Sequence, residues 1–280
     1  MDQKKQGILY IILAGFCFAL MTFFVRLSGD LPTMEKAFFR NGVALIVSIV
    51  MIIISGESIR IKKGAGFSLF MRCFCGTVGL ICNFYAIDHL NIADANILNK
   101  LSPFFAIIMS YFILDEKAGI VQWICVAAAF IGAIFVVKPS FHMEFAYAMV
   151  GVLGGFGAGI AYTFVRKLGA MKVKSPVIVM YFSLFSCLVT LPFIFFTFKP
   201  MTLKQLLFLI AAGICATGGQ FSITTAYKKA PAGEISVFDY TQVIFAALLG
   251  FVFLGQIPDI LSITGYVIII GSAVFKWKHQ

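Results

Sequence analysis

The sequence predicts an all-α integral membrane protein whose ten transmembrane helices form two inverted five-helix repeats, residues 1–140 and 141–280. Three observations predict this. Of 280 residues, 61% are hydrophobic and 12% are charged, about half the charged share of a soluble domain. Apolar runs of membrane-crossing length recur along the whole chain. The second half also matches the first at one fixed offset. A formal net charge of +10 in a soluble protein would point to nucleic acid. Here the basic residues sit in short loops between apolar runs, which is how orientation in a bilayer is set. A lipid bilayer is therefore expected as partner, and nucleic acid is not.

The first run, 7–26, follows Lys4 and Lys5. At about 19 residues, its apolar stretch exceeds a signal-peptide core and lacks an Ala-x-Ala end, so it reads as the first membrane helix. Four runs complete the first repeat: 36–55, 67–87, 92–114 and 119–137. Five make the second: 147–166, 176–197, 204–226, 232–254 and 258–276. Turn formers and charges at 29–32, 56–66, 115–117, 138–139, 172–176, 199–200, 228–231 and 256–259 separate them. With the N-terminus inside, that side collects Lys4, Lys5, Arg60, Lys62, Lys63, Arg72, Lys117, Arg166, Lys167, Lys172, Lys174, Lys228, Lys229, Lys276 and Lys278. The other side holds Arg26, Lys36, Arg40, Lys138, Lys199 and Lys204. The bias puts both termini in the cytoplasm of a cell (inner or plasma) membrane protein.

At an offset of half the chain, Leu13, Gly15 and Phe16 meet Leu153, Gly155 and Phe156. Phe24-Val25-Arg26 meets Phe164-Val165-Arg166, and Cys75, Thr77 and Gly79 meet Cys215, Thr217 and Gly219. Phe105-Ala106 meets Phe245-Ala246. Five crossings per unit is odd, so the second copy is upside down, with Arg26 outside and its counterpart Arg166 inside. Inverted repeats give a transporter two alternative states around one central site. The competing reading is a duplicated scaffold that does not cycle.

Lys100 lies about nine residues, or roughly 12 Å, into the fourth run. A charge at that depth costs about 2.5–3.5 kcal/mol on insertion scales, so a carboxylate, a watery cavity or an anionic substrate must compensate it. The alternative is a lysine snorkelling to the interface. Asp239 sits at similar depth in the ninth run and matches Asn99 in the repeat, while Tyr240 matches Lys100. Asp239 is a candidate counter-ion, proton acceptor or amine ligand, or else a carboxylate packed against hydroxyls. Asn96, Asn99 and Lys100 fall at i, i+3 and i+4 and share a face. Further candidates at membrane depth are Ser102, Asn83, Tyr85, Gln220, Thr224, Thr241 and Gln242, with Tyr162, Phe16 and Phe18 completing the wall. Gly151, Gly155 and Gly159 recur every four residues and read as a face for close helix contact, since no strand precedes them as a nucleotide loop requires. The seven cysteines lie in apolar stretches without a CxxC or a histidine cluster, so neither a metal nor a cofactor is expected. His89 and Asp94 have an acyltransferase-like spacing but no accompanying site, and no enzyme activity is expected.

Phe84-Tyr85-Ala86, Asn91-Ile92-Ala93-Asp94-Ala95, Leu101-Ser102-Pro103-Phe104-Phe105 and Leu114-Asp115-Glu116 resemble the drug/metabolite transporter superfamily, EamA type. So do Ala226-Tyr227-Lys228-Lys229-Ala230-Pro231-Ala232 and Phe238-Asp239-Tyr240-Thr241. The resemblance implies a five-plus-five bundle with both termini cytoplasmic. Its cavity would be lined by the first, third, fourth, sixth, eighth and ninth helices. Members carry amino acids, nucleobases, organic acids, cations and other metabolites. Arg40 and Arg72 match positions often basic in the family, and near helix ends they read as topology or structural pairing. Gln256 departs from the Glu common after the glycine of the second repeat, whereas the first keeps Glu116. The expected function is secondary active transport of a small polar metabolite, an amino acid or other zwitterion, with protons as candidate coupling ion. Lys100 would hold the anionic group and Asp239 the amine. Alternatives are an organic-anion carrier relying on Lys100 alone, and a scaffold or lipid-handling protein.

Overall fold

The computed structural model describes residues 3–56, 58–61, 63–114, 119–137, 143–229 and 236–279. Glu116, Lys117, Lys138 and Pro231 lie outside the described residues, as does the side chain of Thr224. Among the described residues all regular structure is helical. The helices are α1 (Gln3–Leu27), α2 (Thr33–Ser55), α3 (Gly66–His89), α4 (Ile92–Asn99), α5 (Ser102–Ile113) and α6 (Ile120–Val137). Then follow α7 (Met143–Ala170), α8 (Ser175–Thr197), α9 (Leu203–Lys229), a 3-10 turn (Ser236–Tyr240), α10 (Thr241–Leu254) and α11 (Ile260–Lys278). With α4 and α5 taken as one crossing, 8 segments are long and apolar enough to span a bilayer; α6 and the segment through α10 are shorter apolar helices. Ile54 (81%), Phe196 (89%) and Ile260 (82%) lie bare on the outer surface, where lipid rather than water is the fitting solvent.

The expected fourth helix is not continuous. α4 ends at Asn99, Lys100 and Leu101 form a turn, and α5 starts at Ser102 with Pro103 in its first turn. Pro103 has no N–H to give the carbonyl of Asn99 and disfavours helical geometry at Ser102, so the helix stops and restarts. At the place 140 residues on, the 3-10 turn Ser236–Tyr240 leads directly into α10 at Thr241.

Four pairs of helices dominate the packing: α3 on α7, α1 on α9, α2 on α8 and α6 on α11. Small residues let the backbones meet, which is how membrane helices associate when lipid supplies no hydrophobic drive. A Cβ on Gly79 would stand 2.9 Å from the Ala158 nitrogen and 3.0 Å from the Gly154 carbonyl oxygen. The Gly151, Gly155 and Gly159 ridge of α7 instead presses on the broken crossing. Cβ atoms there would come within 3.2 Å of Leu98 Cδ1, 2.7 Å of the Leu98 carbonyl oxygen and 2.8 Å of the Ser102 carbonyl oxygen respectively. Gly15, the counterpart of Gly155, sits in the same way on the start of α10, against Thr241 Oγ1 (2.8 Å) and the Gln242 nitrogen (3.1 Å).

Candidate functional site

The α4–α5 break faces the 3-10 turn before α10, and the two are stitched together. Lys100 Nζ donates to Asp239 Oδ2 at 2.6 Å, with both side chains buried. The Tyr240 hydroxyl donates to the Lys100 carbonyl oxygen at 2.9 Å, so two residues that are equivalent in the repeat touch directly. One turn away, Gln242 Nε2 donates to Asn96 Oδ1. Asn96 Nδ2 in turn donates to the Ile92 carbonyl at 2.6 Å and to Thr22 Oγ1 at 3.3 Å. Lys100 is thus an inward-facing, paired lysine and not a snorkelling one.

A cavity of about 80 Å³ opens beside this pair, enough to admit water. Of the residues singled out from the sequence, Lys100, Asn99, Asn83, Tyr162, Gln220, Gln242 and Phe18 line it. Asn96, Asp239 and Tyr240 stand behind that wall, in the bonds just given. Tyr85 and Phe16 belong elsewhere. Tyr85 is exposed and stacks with His89 (4.3 Å between centroids) and Tyr147 (5.9 Å), and Phe16 packs edge-on to Phe245. Asn83 and Tyr85 are two residues apart, which on a helix puts them on opposite faces; that spacing was a signal against Tyr85. His89 and Asp94 do not pair. His89 Nδ1 lies 2.8 Å from the Tyr85 carbonyl oxygen, and Asp94 Oδ1 accepts from the Tyr266 hydroxyl at 2.7 Å.

Arg40 and Arg72, read from the sequence as topology or structural pairing in preference to substrate contact, also line the cavity. Both are buried, at 2% and 5% exposure. Arg40 Nη1 donates to its neighbour Asn41 Oδ1 at 2.5 Å. Arg72 lies 4.2 Å over the ring of Phe182 and Arg40 6.0 Å from it. A Cβ at Gly76 would fall 2.1 Å from Arg72 Nη1, so the glycine one turn on is what gives the guanidinium its place. That Arg-x-x-x-Gly spacing, 72 to 76, was the available sequence signal. Four buried side-chain atoms at or beside the cavity make no hydrogen bond among the described residues: Arg40 Nε, Arg72 Nε, Asn83 Oδ1 and Asp239 Oδ1.

An all-helical bundle in which a broken crossing and a 3-10 turn meet over a buried ion pair and a polar cavity is the build of a membrane carrier, where interrupted helices frame the transport site. The model of the EamA-like transporter family matches the chain twice, over residues 5–138 and 145–276. The chain belongs to this family, within the drug/metabolite transporter superfamily. It is 32% identical to the pseudopaline exporter CntI of Pseudomonas aeruginosa (strain UCBPP-PA14), covering 98% of this chain and 96% of that one. It is 27% identical to a riboflavin transporter of Vibrio cholerae, over 98% and 94% of the two chains. Solute carrier family 35 member G1 of Homo sapiens is 26% identical, over 98% and 80%. A crystal structure of a protein sharing 18% identity superposes with a TM-score of 0.70 over 96% of each chain, a likeness of fold alone. Membrane transport of a small molecule follows from this membership, and these relatives are transporters and not enzymes.

Proposed function

We propose that the chain is a secondary active transporter that moves a small polar metabolite by alternating access between two inverted repeats, residues 1–140 and 141–280, with both termini cytoplasmic. The observation that carries this reading is the α4–α5 break joined through Lys100, Asp239 and Tyr240 to the 3-10 turn at the repeat-equivalent place, beside a cavity. The packing pattern supports it. Exchanging the first five crossings for the second five turns the α3–α7 pair into the α9–α1 pair and leaves α2–α8 and α6–α11 unchanged. A structure with that pseudo-twofold symmetry has two inverted states of similar energy, and an interrupted helix is where its halves part.

The Lys100–Asp239 pair is made to be opened by a zwitterion. A substrate carboxylate takes Lys100 while a substrate ammonium takes Asp239, whose Oδ1 is already without a partner among the described residues. Neither charge is left uncompensated during the exchange, which keeps the cost of opening a buried pair low. With the substrate gone, Asp239 is also the group through which a proton would couple.

Uptake by proteoliposomes across a panel of amino acids, other zwitterions and organic acids tests the reading. Accumulation above protein-free liposomes for at least one compound is expected. If Asp239 couples protons, Asp239→Asn stops uphill accumulation and permits exchange. A chain that moves nothing in the panel is a scaffold, and the proposal fails.

A further inference from the structure

We infer that Arg40 and Arg72 form a carboxylate-binding subsite, so that the cargo carries a carboxylate in addition to any group held by the Lys100–Asp239 pair. This rests on the transport reading and names the chemistry of its substrate.

Other cations of this molecule show what a structural role looks like. Arg26 Nη1 donates to the Ile87 carbonyl at 2.5 Å and reaches that of Leu90 at 3.4 Å, closing the end of α3. Lys36 pairs with Asp88 at 2.5 Å, and Asp88 also accepts from Thr33 at 3.2 Å. Arg40 and Arg72 are tied less completely: Arg40 reaches Asn41 Oδ1 through Nη1, and Arg72 lies over the Phe182 ring. No carboxylate lies within ion-pair distance of either among the described residues, and the Nε of each makes no bond. Both guanidinium groups lie beside one ring, that of Phe182, at 6.0 and 4.2 Å from its centroid. Two buried cations facing one cavity repel and lack solvation, an arrangement that costs stability and is retained where a ligand relieves it.

The geometry selects the ligand. All donors of a guanidinium lie in its own plane. Stacking Arg72 on Phe182 therefore steadies the cation and leaves its hydrogen-bonding fork free at the edge. A planar carboxylate matches that fork with two parallel bonds. Asn83 and Gln220 on the same wall suit a second polar group of the cargo.

The test uses the full chain purified in detergent, with thermal stability read against added succinate, its neutral diamide succinamide, or phosphate at constant ionic strength. Succinate should raise the unfolding midpoint of the wild type in a saturating manner, and succinamide should not. Arg72→Gln and Arg40→Gln should each need about tenfold more succinate or worse, as expected for loss of a charge-assisted bond. Without ligand they should melt no lower than the wild type, because each removes an unpaired buried cation. Arg72→Lys should fall between. Equal responses in wild type and Arg72→Gln, no response to succinate in the wild type, or succinamide working as well would overturn the subsite. A stronger response to phosphate would replace the carboxylate assignment. Lower melting of both Gln variants without ligand would make the arginines structural. Arginine-dependent binding without uptake into proteoliposomes would sink the transport reading and keep the subsite. Uptake that is indifferent to both Gln variants would do the reverse.

Discussion

Lys100 and Asp239 are each expensive alone and tolerable together. The pair is buried, its bond is 2.6 Å long, and removing one partner leaves an uncompensated charge at a cost of about 3–5 kcal/mol. Lys100→Met is therefore expected to melt well below wild type, and Lys100→Met/Asp239→Asn to recover most of that loss, as read by unfolding in detergent. Transport distinguishes a site from a staple. If the pair binds cargo, the stable double variant transports nothing; wild-type uptake by it removes both residues from the mechanism. These two charges were legible in the sequence because a charge at membrane depth needs a partner, and repeat equivalence placed Asp239 and Tyr240 opposite Lys100. Arg40 and Arg72 were not. Counting charges near the ends of apolar runs assigns an arginine to a loop, whereas six or seven residues into a helix is about 10 Å of depth, enough to reach the cavity.

At the scale of the element, hydropathy gave the crossings closely: 36–55 against Thr33–Ser55, 67–87 against Gly66–His89, 176–197 against Ser175–Thr197. It was blind to the break at Lys100, because transfer free energy sums over residues and does not ask whether a backbone hydrogen bond is missing. Pro103 carried that information and was read as part of a family motif. The break depends on what fits against it. Gly155 leaves 2.7 Å between a would-be Cβ and the Leu98 carbonyl oxygen, so Gly155→Leu should push α7 from α4 and cost about 1–3 kcal/mol or more, seen as a lower unfolding midpoint and lost uptake. Gln256 is a gentler case. α10 ends at Gly255 in the left-handed region (φ 63°), Gln256 folds back, and its Oε1 accepts from the Ile92 nitrogen at 3.1 Å at the start of α4. The residue that departs from the family's Glu thus caps a helix, and its repeat counterpart Glu116 lies outside the described residues. Gln256→Leu leaves a buried N–H unpaired and should cost about 1–3 kcal/mol. Gln256→Glu keeps the acceptor and adds a negative charge at a helix N-terminus, so it should melt at or above wild type.

For the whole molecule, the proposed inversion makes a demand that no local contact can meet by accident. Residues equivalent in the repeat must lie on opposite sides of the membrane. Arg26 and Arg166 are one such pair, but the Arg26 side chain is tied to the end of α3 and makes a poor probe. Asp30 and Ala170 are also separated by half the chain, and both are exposed, Asp30 in the connection after α1 and Ala170 at the last residue of α7. Cysteine placed at each in turn, in a background cleared of the seven native cysteines, should react with a membrane-impermeant thiol reagent from opposite faces of sealed cells or oriented vesicles. The basic residues near them agree in advance: Lys167, Lys172 and Lys174 flank Ala170, whereas no Lys or Arg lies between Arg26 and Lys36 around Asp30, the asymmetry expected of a cytoplasmic and an external loop. A C-terminal reporter should then read cytoplasmic, since two units of five crossings return the chain to the side on which it began. Labelling of both cysteines from one side would mean an even number of crossings between them. The two halves would then be parallel copies, and the exchange of packing partners between α3–α7 and α1–α9 could not interconvert inward- and outward-facing states.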